Sequence, residues 1–290
     1  ISDDISVFRD GQYIGTKLAS DITYDELIQM MVGRTITNIF PKEEAEIGEV
    51  YLKVEGLSRN NEFHDVSFEV RRGEIFGLAG LMGAGRTEVV ETLFGVRKKS
   101  AGKIYVDGKE ARIKSPSDAI RYGFCLLTED RKQSGCFLSL SVRLNTVAAS
   151  LSKHAKGPFI MRKMTVHSAE EMKKLLSIKT PGINTPISNL SGGNQQKVLV
   201  GRWLLTSPDI LIFDEPTRGI DVGSKSEIHR LLTNLAKQGK CVIIVSSEMP
   251  EVMGMSDRIL VMSEGKAVGI IERKDFSQEK IMRYATGTAD

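Results

Sequence analysis

The chain has 290 residues, of which 41% are hydrophobic and 27% are charged. This composition predicts a soluble globular protein, and no run approaches the roughly 18 apolar residues that a membrane-spanning helix requires. The formal net charge of +3 at pH 7 gives no reason to expect nucleic acid as a partner, and the three unpatterned cysteines, Cys125, Cys136 and Cys241, favour a reducing compartment over a zinc site.

The first segment of the chain repeats near the other end. Residues 2–33 align with residues 256–287 at a constant offset and without a gap, so that SDDISVFRDGQYIG lies over SDRILVMSEGKAVG. Each copy reads as an apolar run, a tight turn, a second run and a helix, with the turns at Asp10-Gly11 and Glu264-Gly265. A repeated hairpin could arise by chance, but matched register over the whole segment indicates a duplicated domain.

The repeat also predicts how the chain is divided. Residues 1–40 would be the tail of a preceding domain, and residues 49–290 would be a second domain of the same kind. Residues 41–48 are charged and lack hydrophobic periodicity, which is typical of a linker. We therefore expect the chain to be a piece of a longer, duplicated protein.

A glycine-rich stretch, GLMGAGRTE, occupies residues 80–88, between an apolar strand pattern at 75–79 and an apolar-periodic segment at 89–94. This strand–loop–helix order is the context that a phosphate-binding P-loop requires, although a glycine-rich turn alone is more often merely a turn. The glycines would let main-chain amides face phosphate oxygens, and Thr87 would offer a hydroxyl to Mg²⁺. The predicted nucleotide-binding residues are Gly80, Gly83, Ala84, Gly85, Arg86, Thr87 and Glu88.

This loop departs from the usual P-loop at two positions. Arg86 stands where a lysine belongs, and its planar guanidinium does not replace a compact ammonium between phosphates. Glu88 stands where a second hydroxyl is usual, and its negative charge would repel phosphate oxygens. No aromatic residue is evident for stacking on a base, because Phe63, the nearest candidate, is expected to be buried.

Between this loop and residue 190, the signals are weaker. Residues 124–128 read as a strand that ends at Glu129, whose carboxylate could bind Mg²⁺ or be an ordinary solvated acid. Residues 133–189 are predicted to be mostly helical, with a basic loop at 153–163 that we interpret as a solvated turn. A capping box at residues 168–171 predicts the start of a helix there.

The most informative stretch is LSGGNQQKVLVGRWLLTSPDILIFDEPTRGID at residues 190–221. Bare main-chain amides that precede a helix can form a phosphate-binding nest, and here they belong to Ser191, Gly192 and Gly193. The apolar run at 210–213 predicts a buried parallel strand that ends in Asp214 and Glu215. Ligands bind at the carboxyl ends of strands in open α/β sheets, where such acids can hold Mg²⁺ and activate a water molecule.

In this order, the P-loop, LSGGNQQK and DEPTRGID resemble the motifs of ATP-binding-cassette (ABC) ATPases. These variants resemble the ATPases of bacterial monosaccharide importers, the ribose, galactose and xylose class. The resemblance covers essentially the whole chain and implies an α/β P-loop NTPase fold, with a RecA-like parallel core, an antiparallel β subdomain and an inserted helical subdomain at about residues 133–189. It also implies that residues 49–290 are the second, C-terminal cassette of a tandem protein and that residues 1–40 are the tail of the first cassette.

The resemblance implies ATP as the nucleotide and Mg²⁺ as its cofactor. Glu215 would be the general base on the attacking water. The residues implied to hold Mg²⁺ are Thr87, Glu129 and Asp214. Signature residues Ser191, Gly192 and Gly193 would bind in trans to the γ-phosphate held by the opposite cassette, and Asp221 would be the D-loop acid.

Two further positions depart from the pattern of the family. Glu129 takes the Q-loop position, where a glutamine is usual, and Ser247 takes the switch position, where a histidine is usual. Together with the altered P-loop, these departures predict that this cassette binds and hydrolyses ATP poorly by itself. The intact signature predicts that it supports hydrolysis at the other cassette.

The function implied is ATP hydrolysis that drives monosaccharide uptake at the cytoplasmic face of the cell membrane. The implied partners are the first cassette, membrane permease subunits and, indirectly, a periplasmic or extracellular sugar-binding protein, and no nucleic acid is expected. Three alternatives stay open: a regulatory nucleotide-binding cassette without turnover, an importer ATPase for nucleosides or signal molecules, and an ABC ATPase of nucleic-acid repair or translation.

Overall fold

A computed structural model describes residues 2–9, 12–23, 26–27, 30 and 40–287, and every structural statement below concerns these residues. Their strands are β1 (Asp4–Arg9), β2 (Gln12–Leu18), β3 (Val50–Arg59), β4 (Phe63–Arg71), β5 (Ile75–Gly80), β6 (Ala101–Val106), β7 (Lys109–Glu110), β8 (Phe124–Leu127), β9 (Ala155–Lys156), β10 (Phe159–Ile160), β11 (Ile210–Asp214), β12 (Cys241–Val245), β13 (Arg258–Ser263) and β14 (Lys266–Glu272). Their α-helices are α1 (Arg86–Leu93), α2 (Pro116–Arg121), α3 (Val142–Val147), α4 (Arg162–Leu175), α5 (Gly192–Leu204), α6 (Val222–Lys237), α7 (Met249–Met255) and α8 (Gln278–Ala285). A π-helix spans Arg131–Gly135, and short 3-10 helices span Ala148–His154, Ile187–Asn189 and Arg273–Asp275.

The central sheet has six strands in the order β14–β13–β5–β12–β11–β8, and β14 alone among them runs antiparallel to its neighbour. Every residue of β8, β11 and β12 is buried, as expected for continuous apolar runs covered on both faces. Because these strands run parallel to β5, the residues that follow them meet at one edge of the sheet. The glycine-rich loop follows β5, Asp214 ends β11 and Ser246 follows β12.

The second sheet has four antiparallel strands in the order β4–β3–β6–β7. Its apolar side chains share one core with those of β5 and α1. The stacked rings of Phe68 and Phe76, whose centroids are 5.3 Å apart, join the two sheets. Phe63 at the start of β4 is 0% exposed, as expected, so it offers no free ring for a nucleotide base.

The chain between β8 and β11 is largely helical, and α3, α4 and α5 pack against one another there. The parallel core, the antiparallel sheet and the helical insertion predicted from the sequence are therefore confirmed. The predicted helix start at residues 168–171 is wrong, because α4 already begins at Arg162. The Ser168 hydroxyl instead lies 2.9 Å from Nε2 of the buried His154.

None of the described helices has the length and hydropathy that crossing a bilayer requires. The longest of them, α6, has 16 residues. Charged and polar side chains line the exposed face of α6, in keeping with an amphipathic helix that packs on a sheet.

The described hairpins of the two copies of the sequence repeat fold alike. Strands β1 and β2 form an antiparallel hairpin whose bounds match those of β13 and β14 at the offset of the repeat. Both hairpins contain an irregularity at the same place, between Val7 and Phe8 in one and between Val261 and Met262 in the other. The predicted turn at Glu264-Gly265 is present, with positive φ at both residues, whereas the turn at Asp10-Gly11 lies outside the described residues.

The predicted linker at residues 41–48 has no helix or strand, but it packs against the domain that follows it. Just before it, the ring of Phe40 packs 5.3 Å from the ring of His229 on α6. Lys42, whose side chain is 6% exposed, forms an ion pair of 2.9 Å with Asp257. This segment is therefore part of the packed structure and does not act as a free spacer.

Candidate nucleotide-binding site

The glycine-rich loop between β5 and α1 lies at the carboxyl edge of the central sheet. Gly83 and Gly85 have φ values of 80° and 92°, in the left-handed region that side chains disfavour. Nothing lies within 4 Å of the place that a Cβ on Gly83 would occupy, so the main chain is open to a ligand there. Helix α1 begins directly after the loop at Arg86, and the first amides of a helix can bind phosphate oxygens.

Asp214 ends β11 beside the start of α1. Its side chain is buried, and its Oδ1 atom has no hydrogen-bond partner among the described residues. Burial raises the pKa of Asp214 to about 7, and the nearby Thr87 hydroxyl opposes that rise. A buried carboxylate with an unpartnered oxygen next to a hydroxyl suits Mg²⁺, which binds oxygen ligands of this kind.

Glu215 follows Asp214 in a constrained position. Its φ of 47° is unusual for a residue with a side chain, and its amide donates a hydrogen bond of 2.8 Å to the Val245 carbonyl. The Ser247 hydroxyl donates to Glu215 Oε2 over 3.2 Å. Burial raises the pKa of Glu215, with the hydrogen bond from Ser247 acting in the opposite direction. The carboxylate is thus fixed at the edge of the sheet and can accept a proton there.

The two altered P-loop residues are engaged by the protein itself. Arg86 Nη1 donates to the main-chain carbonyl of Ser246 over 2.7 Å. Glu88 Oε1 lies 4.0 Å from Nη2 of Arg97, which also pairs with other acids nearby. The Arg86 guanidinium is therefore not a free cation for phosphate, and Glu88 offers no hydroxyl in its place.

The LSGG segment forms the start of α5. Ser191 is exposed at the N-cap position, and its Oγ accepts a hydrogen bond of 2.9 Å from Asn194. A Cβ on Gly193 would overlap the hydroxyl of Ser224 and would lie 2.5 Å from Ser224 Cβ, so only glycine fits. Asp221 caps α6 by accepting a hydrogen bond of 2.9 Å from the Ser224 amide. Glycine at this point thus lets the starts of α5 and α6 come together.

Comparison with known proteins identifies the family. A family model described as "ABC transporter" matches residues 63–218. Over 289 residues, the chain is 56% identical to a ribose/galactose/methyl galactoside import ATP-binding protein of Halalkalibacterium halodurans, covering 100% of this chain and 55% of that protein. The chain belongs to the ABC transporter ATP-binding proteins.

Further relatives agree with this assignment. A protein of Geobacillus kaustophilus with the same name is 56% identical over 287 residues, which cover 99% of this chain and 57% of that protein. The chain spans about half the length of the curated relatives it matches. Among solved structures, a nucleotide-free ATP-binding cassette from an ABC transporter matches with a TM-score of 0.70 at 20% identity, over 81% of this chain and 98% of that one. The predicted ABC ATPase fold is confirmed.

In this ABC cassette, the predicted site residues form two groups. One group lies around the P-loop and contains Gly80, Gly83, Ala84, Gly85, Arg86, Thr87, Glu88, Asp214, Glu215 and Ser247. The other lies at the starts of α5 and α6 and contains Ser191, Gly192, Gly193 and Asp221. No hydrogen bond or ion pair between described side chains joins the signature residues to the P-loop. The roles assigned to these residues stay predictions.

Glu129, which was also predicted to hold Mg²⁺, contacts the loop that leads from β11 to Asp221. Its carboxylate forms an ion pair with Arg218, in the loop after β11. Sequence reasoning missed Arg218 and also Arg131, whose guanidinium contacts the same loop. The sequence EDRK at residues 129–132 gives a signal, because charged residues directly after a buried strand lie at the ligand-binding edge of the sheet.

Proposed function

We propose that this chain is the second nucleotide-binding cassette of an ABC importer ATPase, together with the tail of the first, and that ATP hydrolysis by the complete protein drives monosaccharide uptake. The observation that carries the proposal is the buried pair Asp214 and Glu215 at the end of β11, with Thr87 of the P-loop beside Asp214. The names of the two relatives, which give ribose, galactose and methyl galactoside import, support a monosaccharide as the transported substrate.

The chemistry follows from where these side chains lie. Thr87 and Asp214 would hold Mg²⁺, which when bound would offset negative charge on the ATP phosphates. Glu215 would accept a proton from the attacking water, and the hydrogen bond from Ser247 would hold its carboxylate in place. Burial raises the pKa of Glu215, so its ionised form is a stronger base than an exposed glutamate.

The site formed by this P-loop is proposed to turn over slowly. Arg86 is hydrogen-bonded to Ser246, and Glu88 adds an acid where phosphate oxygens would lie. Ser247 replaces the switch histidine. The signature residues show no such changes, so we propose that they complete the site of the first cassette and stabilise charge on its γ-phosphate.

The tandem organisation is supported by the repeated hairpin. In the second copy, β13 pairs with β5, and buried Met262 packs close to Gly85 of the P-loop. In the first copy, β1 has β2 as its sole strand partner among the described residues, and Phe8, which matches Met262, is 65% exposed. We propose that β1 pairs with the P-loop strand of the first cassette and that Phe8 packs beneath that P-loop.

The proposed partners also include membrane permease subunits and, indirectly, a periplasmic or extracellular sugar-binding protein. A groove of about 250 Å³ opens beside the loop after β8 and is lined by residues that include Phe94, Thr128, Ser134, Arg202 and Trp203. This groove, between the parallel core and the helical insertion, is the proposed contact with the permease. The protein would then lie at the cytoplasmic face of the membrane.

A second candidate function is a regulatory cassette that binds nucleotide without turnover. The hydrogen bond from Arg86 to Ser246 favours it, because it leaves the P-loop cation one fewer donor for phosphate. Uptake of a nucleoside or a signal molecule in place of a sugar is compatible with the same cassette, since the transported substrate does not contact it.

The test uses the complete tandem protein with its permease. Ser191→Ala should lower the ATPase rate about a hundredfold, as loss of one donor to a developing charge does, whereas Arg86→Ala should leave a substantial rate. Ser188→Ala, another exposed serine near α5, is the matched control and should have no effect. Gly193→Asp is a poor probe, because any side chain there meets Ser224. If Arg86→Ala is as damaging as Ser191→Ala, both sites turn over and the asymmetry is wrong.

Substrate and turnover are tested separately. Uptake of labelled ribose, galactose and a nucleoside by vesicles that contain the complete transporter would name the substrate class. For this chain alone, slow ATP hydrolysis is expected, and brisk hydrolysis that Glu215→Gln abolishes would show that its own P-loop site is competent. ATP binding without turnover in the complete protein would support the regulatory alternative.

A further inference from the structure

Arg131 joins three parts of the chain that are far apart in sequence. Its Nη1 donates a hydrogen bond of 2.8 Å to the Arg218 carbonyl, and its Nη2 donates one of 2.9 Å to the Gly219 carbonyl. Its Nε donates to Gln195 Oε1 on α5 over 3.3 Å. One guanidinium therefore links the π-helix at Arg131–Gly135, the signature helix and the loop that follows β11.

Two neighbouring contacts hold the same loop. The Glu129 carboxylate, two residues before Arg131, forms an ion pair with the Arg218 side chain. From α5, the buried Gln196 donates through Nε2 to the Pro216 carbonyl over 2.8 Å. The loop is thus held by the segment after β8 on one side and by the signature helix on the other. Arg131, which belongs to the first of these, also contacts the signature helix.

Of the two glycines that flank the guanidinium, Gly192 makes room for it, whereas a Cβ on Gly219 would lie at an ordinary contact distance. A Cβ on Gly192, the first residue of α5, would lie 2.6 Å from Arg131 Nη2. A Cβ on Gly219 would lie 3.6 Å from the same group, and the φ of Gly219 is 66°. Glycine at residue 192 therefore serves the contact with Arg131 directly, because a methyl group there would push the guanidinium away from the two carbonyls.

We propose that Arg131 is a positioning residue that makes the Q-loop segment, the signature and the D-loop move as one unit. It would hold Ser191 and Asp221 in a fixed relation, so that the opposite cassette meets both together and a shift of the Q-loop is passed to both. This inference rests on the proposed function for its effect on ATP hydrolysis. The arrangement itself rests on the contacts of Arg131 with α5 and with the loop after β11.

Arginine is needed here because two carbonyl groups accept from one planar fork. A lysine carries a single ammonium on a flexible stem and cannot reproduce two parallel N–H donors together with a third at Nε. Arg131→Lys should therefore retain little of the positioning that Arg131→Ala loses, although lysine keeps the positive charge. Lys132, the next residue, is exposed and provides a matched control of equal charge.

The first test measures ATP hydrolysis by the complete tandem protein with its permease. Arg131→Ala should lower kcat about ten- to a hundredfold, the range expected when reacting groups are displaced by up to 1 Å. The KM for ATP should stay within about threefold, because positioning of the signature acts on the transition state more than on nucleotide binding. Arg131→Lys should resemble Arg131→Ala, and Lys132→Ala should resemble the unchanged protein. An unchanged kcat for Arg131→Ala would overturn the inference.

The second test asks whether Gly192 acts through Arg131. Gly192→Ala should reproduce the loss of kcat. The double variant with Arg131→Ala should lose no more than about twice as much kcat as either single variant, because the two changes remove the same interaction. Gly182→Ala is the control, because nothing lies within 4 Å of a Cβ there. Additive losses in the double variant would show that the two residues act independently and would contradict the proposal.

A third measurement separates this inference from the proposed function. In the unmodified chain and in Arg131→Ala, hydrogen exchange of the main-chain amides at residues 192–194 and 218–221 is compared, with thermal melting to check that both are folded. Exchange at both places should rise at least about tenfold in Arg131→Ala and should not rise in Lys132→Ala. If exchange does not change, the inference fails even when ATP hydrolysis is confirmed. If the complete protein hydrolyses no ATP but exchange rises as expected, the proposed function fails and the positioning role stands.

Discussion

Arg86 Nη1 donates a hydrogen bond of 2.7 Å to the main-chain carbonyl of Ser246. The bond joins the first residue of α1 to the residue that follows β12, across the edge of the sheet where phosphates would bind. A P-loop lysine would present its ammonium to those phosphates, but a guanidinium held by a carbonyl has one fewer donor to offer. We therefore expect the identity of this residue to affect nucleotide affinity.

We expect Arg86→Lys to bind ATP with Mg²⁺ about tenfold more tightly than the unchanged chain, because a compact ammonium fits between phosphates. Titration calorimetry on this chain measures the effect. Arg121→Lys, at an exposed arginine on α2, is the control and should bind as the unchanged chain does. Equal affinity for Arg86→Lys and the unchanged chain would show that Glu88, and not Arg86, limits binding.

Asp214 makes stability depend on pH. Its pKa is raised by burial to about 7 in the folded chain, against about 4 for an unfolded aspartate. The folded state therefore binds a proton at Asp214 more tightly than the unfolded state does. The stability that this difference contributes is fully present below about pH 4 and is lost as the pH rises to about 7. Without Mg²⁺, Asp214→Asn should be more stable than the unchanged chain at pH 8 by on the order of 2 to 4 kcal/mol, and about equally stable at pH 4.

Urea unfolding at several pH values gives these free energies. Asp107→Asn is the control, since Asp107 is exposed and its φ of 51° also suits asparagine. Adding Mg²⁺ should raise the stability of the unchanged chain at pH 8 and should leave that of Asp214→Asn unaltered. A difference between the two chains that does not vary with pH would argue against a raised pKa at Asp214.

Much of the site could be predicted from the sequence, because its parts follow from local patterns. The apolar run before Asp214 specifies a buried strand, and the carboxyl end of a parallel strand is a place for ligands. The glycine-rich loop is recognisable because it stands between a strand and a helix. These features depend on neighbours in the chain, so one sequence is enough to locate them.

Other features depend on which segments the fold brings together. Arg131 reaches Gly219, and Phe40 reaches His229, across long stretches of sequence, and neither contact has a local signature. The wrong helix start at residues 168–171 has a similar cause. The pattern there satisfies the rule for a capping box, but packing of α4 extends the helix back to Arg162, and tertiary contacts override local preference.

A buried histidine supports the turn that carries the proposed base. His229 Nε2 lies 2.6 Å from Glu251 Oε1, to which the Thr217 hydroxyl also donates over 2.7 Å. Although burial opposes it, hydrogen bonds from His229 and other neighbours hold the pKa of Glu251 below its usual value. Glu251 therefore stabilises the fold above the pKa of an unfolded glutamate, and this contribution is lost as the pH falls through the lowered value.

We expect His229→Phe to lower the free energy of unfolding at pH 7 by about 3 kcal/mol, because it removes one of the hydrogen-bond partners of a buried carboxylate. Adding Glu251→Gln should recover part of that loss, since a buried neutral amide costs less than a buried carboxylate that has lost a hydrogen bond. His167→Phe, at an exposed histidine on α4, should cost less than about 0.5 kcal/mol. If the double variant is less stable than His229→Phe alone, the loss comes from packing around Phe40 and not from the charge of Glu251.

The last prediction concerns where the proposed second cassette begins. Phe40 packs against His229, the Pro41 carbonyl accepts a hydrogen bond of 3.1 Å from Thr233, and Lys42 pairs with Asp257. A chain that begins at Phe40 should therefore melt within about 2 °C of the unchanged chain, whereas one that begins at Glu49 should melt at least about 5 °C lower, as loss of about 2 kcal/mol from a domain of this size implies. Differential scanning calorimetry of the two chains measures both effects. Melting at the same temperature for both would show that the segment before β3 adds no stability. A large drop for the chain that begins at Phe40 would show that the first hairpin belongs to this cassette, which would contradict the proposed tandem boundary.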